Sequence, residues 1–196
     1  MKVLRYLLLP LLFAVATLPA LAQNAKAINE HPATQVTFAY LRSAMGQDWT
    51  KAAALIEPAS LETLKMRYIK RIKASATIDD EIAHVRRLDC VNLKEVEGLN
   101  AKEFYIRYHI GVQKLNGVDQ AKLDQILATL AVKLLSLAEE KVDQNEICHI
   151  LVRTRHSNEK MQISALDLVS LVKLSDNWKV TLNAQEPLIK LVDAKK

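Results

Sequence analysis

The stretch Glu146–Gln185, EICHILVRTRHSNEKMQISALDLVSLVKLSDNWKVTLNAQ, decides the fold. It holds three strand-like runs separated by the turn signals HSNEK, from His156, and SDN, from Ser175. A first turn centred on Asn158-Glu159 sets Thr154 opposite Ile163, Val152 opposite Ala165 and Ile150 opposite Asp167. A second centred on Asp176-Asn177 sets Leu171 opposite Leu182 and Lys173 opposite Val180. Both registers gather Cys148, Ile150, Val152, Ile163, Ala165, Val169, Leu171, Trp178, Val180 and Leu182 on one side. His149, Arg153, Arg155, Gln162, Ser164 and Ser170 take the other. Strand side chains alternate between faces, so this agreement predicts an antiparallel meander with one face packed under helices.

The chain upstream supplies those helices. After a polar leader from Asn24 to His31, Pro32 opens a helix with Val36, Ala39, Tyr40 and Ala44 on one face, ended by Gly46. Asp48 caps DWTKAAALI, which stops before Pro58, and Pro58 opens PASLETLKMRYIKRIKA. In that third helix Leu61, Leu64, Tyr68, Ile69 and Ile72 oppose a basic side of Lys65, Arg67, Lys70, Arg71 and Lys73. Thr77 with Asp80 marks a further helix start, and NLKEVEGLN reads as a short helix closed by Gly98. Segment 101–115 admits two readings. Asn100 with Glu103 and the Asn116-Gly117 stop favour helix, while Phe104, Ile106, Tyr108, Ile110 and Val112 also alternate as a strand does. From Asp119 to Val142, Leu123, Ile126, Leu127, Leu130, Leu134 and Leu137 fall in phase for one long amphipathic helix. Helices first and a sheet last make the expected class α+β.

The N-terminal MKVLRYLLLPLLFAVATLPALA combines Lys2 and Arg5, an apolar run and an Ala20-Leu21-Ala22 cleavage signal. That pattern predicts a signal peptide over 1–22, a single α+β domain over 23–196, and export to the periplasm or beyond, with no membrane anchor after cleavage. The formal charge of +5 drops when Lys2 and Arg5 leave, and no basic-aromatic motif points to nucleic acid. Cys90 and Cys148 admit either one disulfide, which an oxidising compartment permits, or two buried thiols.

A resemblance joins these pieces. The leading helix, DWTKAAALIEP with its Asp48-Trp49 pair, and the closing hairpin with Asp176, Trp178, Lys179 and Val180 resemble the nuclear-transport-factor-two-like, or cystatin-like, superfamily. The resemblance implies helices packed on a curved, cone-like C-terminal antiparallel sheet, with extra helices in the middle departing from compact members. It also implies a cavity on the covered side and, in many relatives, a homodimer through the open side. The superfamily holds isomerases, dehydratases, polyketide cyclases and many proteins without activity, so fold alone does not assign chemistry.

Asp167 is the sharpest candidate, because the register turns it to the covered side. A carboxylate there must be paired, hydrogen-bonded or neutral. Tyr105, Tyr108 and His109 are the accompanying ligand-binding candidates. The basic side Lys65–Lys73 is a candidate contact for anionic surfaces, and His149, Arg153 and Arg155 a candidate interaction face. No two histidines stand at metal-pair spacing, no nucleophile elbow or phosphate-cradling glycine loop is present, and no cofactor is indicated. The leading expectation is an exported, non-catalytic protein that binds a partner or a small apolar ligand. A pocket enzyme with Asp167 as general base, and an envelope accessory using the basic helix, are the alternatives.

Overall fold

The computed structural model describes residues 28–117, 120–157 and 162–182. The predicted signal peptide and the turn residues Asn158 and Glu159 lie outside them, as does the first half of the polar leader. In the leader's second half residues 28–30 are helical, and Ile28 is buried with its carbonyl accepting from the Thr34 hydroxyl.

The helices begin where their capping residues stand. Pro32 opens α1 (Pro32–Met45), with the His31 ring accepting from the Ala33 amide. Asp48 caps α2 (Trp49–Leu55), and α3 (Pro58–Lys73) starts on its proline. Thr77 caps α4 (Ile78–Arg87), Asn92 caps α5 (Leu93–Gly98) and Asn100 caps α6 (Ala101–Asn116). Each of these side-chain oxygens satisfies an amide that the first helical turn leaves without a partner. Gly117, at φ 57°, ends α6 in the left-handed geometry that glycine tolerates. Segment 101–115 is therefore helix.

The predicted helix over Asp119–Val142 is corrected. Only α7 (Gln120–Thr129) is helical, and Ala131–Val142 forms strand β1. It pairs along its length with β2 (Asn145–Ser157) through a turn in which Asp143 has φ 56°. The cause of the misreading is a bulge between Leu134 and Ser136. The extra residue makes Val132, Leu134 and Leu137 share a face although the last step is three residues, which imitates helical spacing. With β3 (Gln162–Leu174) and β4 (Asn177–Thr181), the curved antiparallel sheet runs in order β1-β2-β3-β4. The protein is α+β, with the helices preceding the sheet.

Both predicted registers are off by two residues. Val152 faces Asp167, Thr154 faces Ala165 and Ile150 faces Val169; Leu171 faces Val180 and Lys173 faces Trp178. In the second hairpin the cause is visible: Ser175, at φ 54°, and Asp176 form the tight turn, one residue earlier than expected. A shift of two leaves every side chain on its face. The main core accordingly joins Cys148, Ile150, Val152, Val169, Leu171, Trp178 and Val180 to Ala33, Leu41, Ala52, Ala53, Leu61 and Tyr105. A second cluster, with Tyr68, Ile72, Val85, Leu88, Val96 and Phe104, holds α3–α6 together. Cys148 belongs to the first cluster and Cys90 to the second, and both are free thiols, so the disulfide reading fails. Burial pushes the Cys148 thiol up to about 11, with the Glu139 charge adding to it.

A close helix contact sets α6 against the end of α4. A Cβ placed on Gly111 would stand 1.9 Å from the Arg87 carbonyl oxygen and 2.7 Å from Arg87 Cγ. Gly98, by contrast, has open space around it. Gly111→Ala is expected to destabilise the fold by about 2 kcal/mol or more, because backbone must move. Gly98→Ala is expected to be neutral or stabilising by up to about 1 kcal/mol. Urea unfolding of the two variants checks both signs.

Candidate functional site

Asp167 does point to the covered side. It stands in the cross-strand row Leu134–Val152–Asp167, with Thr154 and Ala165 in the next row. It is half-buried, and its carboxylate makes no ion pair or hydrogen bond within the described residues. Strand β4 pairs with β3 only as far as Ser170, so among the described residues the Gln162–Val169 half of β3 has no partner strand on its outer edge. Burial raises the Asp167 pKa above the ordinary aspartate range.

The helical layer answers this acid with phenols. Tyr40 on α1 is close enough that the Asp167 charge helps to raise its pKa, after the larger effect of burial. Tyr105 lies beside Tyr40, and burial, with the neighbouring Tyr40 phenol adding to it, raises the Tyr105 pKa well above the ordinary phenol range. From Tyr105 the aromatic contacts continue: its ring lies 4.4 Å from His109, and His109 stacks on Trp49 at 4.3 Å and 18°. Trp49 Nε1 donates to Gln113 Oε1 at 3.4 Å. Packed this way, His109 is held neutral, its pKa lowered by burial to about 4. Three of the four ligand-binding candidates thus meet in one aromatic run: the Tyr108 ring lies edge-on to His109 at 5.2 Å and also packs on Tyr68 at 5.2 Å and on Phe104 at 6.1 Å in the second cluster. Asp167 is linked to that run through Tyr40, whose pKa its charge helps to raise. Tyr40 is the residue sequence reasoning left in the core; its place on α1's inner face was visible, its hydroxyl's neighbours were not.

The basic side of α3 is smaller than predicted. Lys65 is buried, and its ammonium donates to the Glu97 carbonyl at 2.9 Å and to the Leu99 carbonyl. It closes the C-terminal end of α5, where helix carbonyls lack partners. Lys73 pairs with Glu97 at 2.7 Å. Arg67, Lys70 and Arg71 remain exposed, the first two beside Met66 and Glu62 in a shallow groove.

On the open side, His149 bridges Glu140 Oε1 (3.0 Å, from Nε2) and Ser170 Oγ (2.9 Å, from Nδ1). An acid, an imidazole and a hydroxyl in a chain is the order of a nucleophilic relay. Ser170 is only 4% exposed, however, and lies between paired strands, so this chain fixes His149 rather than presenting a nucleophile. Arg153 is half-buried and Arg155 exposed on the same face. Among the described residues no group of His, Cys, Asp or Glu could hold a metal ion, and no helix is long and apolar enough to cross a membrane.

Two outcomes are expected. Lys65→Met leaves two carbonyls at the α5 terminus without a donor and should cost about 1–3 kcal/mol in urea unfolding. For His109, the unfolded chain takes up a proton near pH 6.5 and the folded one only near pH 4. Stability is therefore full above pH 6.5 and falls as pH drops toward 4, by at most about 3 kcal/mol. His109→Phe, which keeps the stack, should flatten that part of a thermal-melting profile against pH. Comparison with protein-family models, with curated proteins and with solved structures found no match to this chain.

Proposed function

We propose that this chain is an exported, non-catalytic binding protein of the nuclear-transport-factor-two-like kind. Its ligand is small and mostly apolar, and it enters where β3 runs past the end of β4. Export rests on the N-terminal segment MKVLRYLLLPLLFAVATLPALA, and the family reading on an α+β chain whose helices precede a four-stranded meander. The observation that carries the binding site is Asp167. It is a half-buried acid with no protein partner within the described residues, placed among Val152, Leu134 and Ala165 and facing the Tyr40–Tyr105 pair. Such a group lowers stability unless a ligand's donor meets it, and apolar surroundings with few polar groups are what small-molecule sites present.

The raised Asp167 pKa favours a second reading, an isomerase or dehydratase with this carboxylate as general base. A neutral apolar dye, N-phenyl-1-naphthylamine, separates the readings from failure. Saturable one-to-one binding, weakened about tenfold when Ala165→Phe fills the entrance, is the expected result. No saturable binding overturns the site. Proton exchange into simple cyclic ketones in D2O, lost in Asp167→Asn, would transfer the conclusion to the enzyme. The same variant has a thermodynamic signature. The wild-type carboxylate, with its raised pKa, disfavours the folded state once ionised, so stability falls as pH rises through that pKa. Asp167→Asn should therefore equal or exceed wild type at pH 7, with the difference vanishing in acid.

A further inference from the structure

We propose that the open face of the sheet docks the protein onto an anionic lipid surface through Leu166, Leu168, Lys133, Arg153 and Arg155. The register brings these residues into three successive rows. Arg155 lies between Ala131 and Ser164, Arg153 between Lys133 and Leu166, and Leu151 between Ser136 and Leu168. Leu166 is 57% exposed and Leu168 56%, although both sit in the middle of the β2–β3 ladder.

The charges are as unbalanced as the leucines are bare. Lys133 faces Arg153 directly across β1 and β2, a like-charged cross-strand pair that disfavours the sheet unless an anion intervenes. None of Lys133, Arg153 and Arg155 makes an ion pair or side-chain hydrogen bond within the described residues. The acid on this face of β1, Glu140, lies rows away opposite Ile147 and is engaged by His149. The contrast with α3 is direct. There Lys65 is buried, Lys73 has its own acid, and Glu62 shares the groove of Arg67 and Lys70.

An anionic bilayer surface supplies what this face lacks. Leucines in the same rows as the cations enter the acyl boundary while the long Lys and Arg stems reach back to the phosphates. Guanidinium forks suit phosphate oxygens in pairs. Because these contacts are peripheral, attachment is reversible and salt-sensitive. A soluble acidic protein would meet the three cations equally well. The two exposed leucines beside them favour an interface with an apolar layer just beneath its charge.

Vesicle sedimentation tests this, using the chain purified as its producing cell processes it. Wild type is expected to sediment with phosphatidylcholine vesicles holding about 30 mol per cent phosphatidylglycerol, and to be released near 1 M salt. Arg153→Glu with Arg155→Glu should weaken binding about tenfold or more. Leu166→Ser with Leu168→Ser should weaken it as well, and both pairs, being on the surface, should melt like wild type. Arg67→Glu with Lys70→Glu should bind as wild type. No binding, equal binding to pure phosphatidylcholine, or loss confined to the α3 variant overturns the proposal. So does binding to soluble polyglutamate as tight as to vesicles and indifferent to the leucine variant. A dimer in light scattering that the leucine variant dissociates, without vesicle binding, assigns the face to a second copy instead.

Discussion

The β2–β3 ladder, from Ile147 opposite Val172 to Ser157 opposite Gln162, is the constraint from which the rest follows. Once it closes, alternation fixes which side chains meet the helices and which meet solvent. Its covered side brings Cys148, Ile150, Val152, Val169 and Leu171 against α1, α2 and Tyr105, burying several of them completely. The same alternation leaves no freedom for Asp167. Turning that acid outward would expose the whole apolar set with it, so the acid stays under the helices and its surroundings must adapt.

They adapt at the sheet's end. The α2–α3 connection occupies the outer edge of β4, where Ile56 bridges to Val180 and the Glu57 amide bonds the Val180 carbonyl at 2.9 Å. Pairing of β3 with β4 ends at Thr181, and among the described residues the first half of β3 has no partner strand on that side. Asp167 is half-buried there, and the Tyr40 phenol adds a dipole on the helical side. The arrangement is polar where a sealed core would be apolar, and it lies beside the stretch of β3 that has no partner strand among the described residues.

Much of this was legible in the sequence, for reasons particular residues make plain. The faces of β2, β3 and β4 were legible even though both turns were placed wrongly, because a shift of two residues preserves alternation. Asp48, Thr77, Asn100 and Gly117 announced helix ends through the groups they satisfy. Strand β1 was hidden by its bulge, which converts a period of two into a local step of three. Lys65 was hidden because a helical projection shows which side a residue leaves from, not that a lysine's long stem carries its charge back to the carbonyls of another helix. Gly111 gave no signal at all: only the approach of Arg87 explains a glycine inside α6.

The two faces of the sheet then differ in how their unsatisfied charge is arranged. On the covered face one carboxylate is isolated among apolar groups, and burial shifts it toward its neutral form. On the open face three cations lie together in water, and among the described residues the acid on that face of β1, Glu140, is engaged by His149. Burial can neutralise an acid by holding its proton; no such route exists for arginine, which keeps its charge in every protein environment. Among the described residues the open face therefore keeps three unpaired cations, whereas burial on the covered face favours the protonated form of its acid.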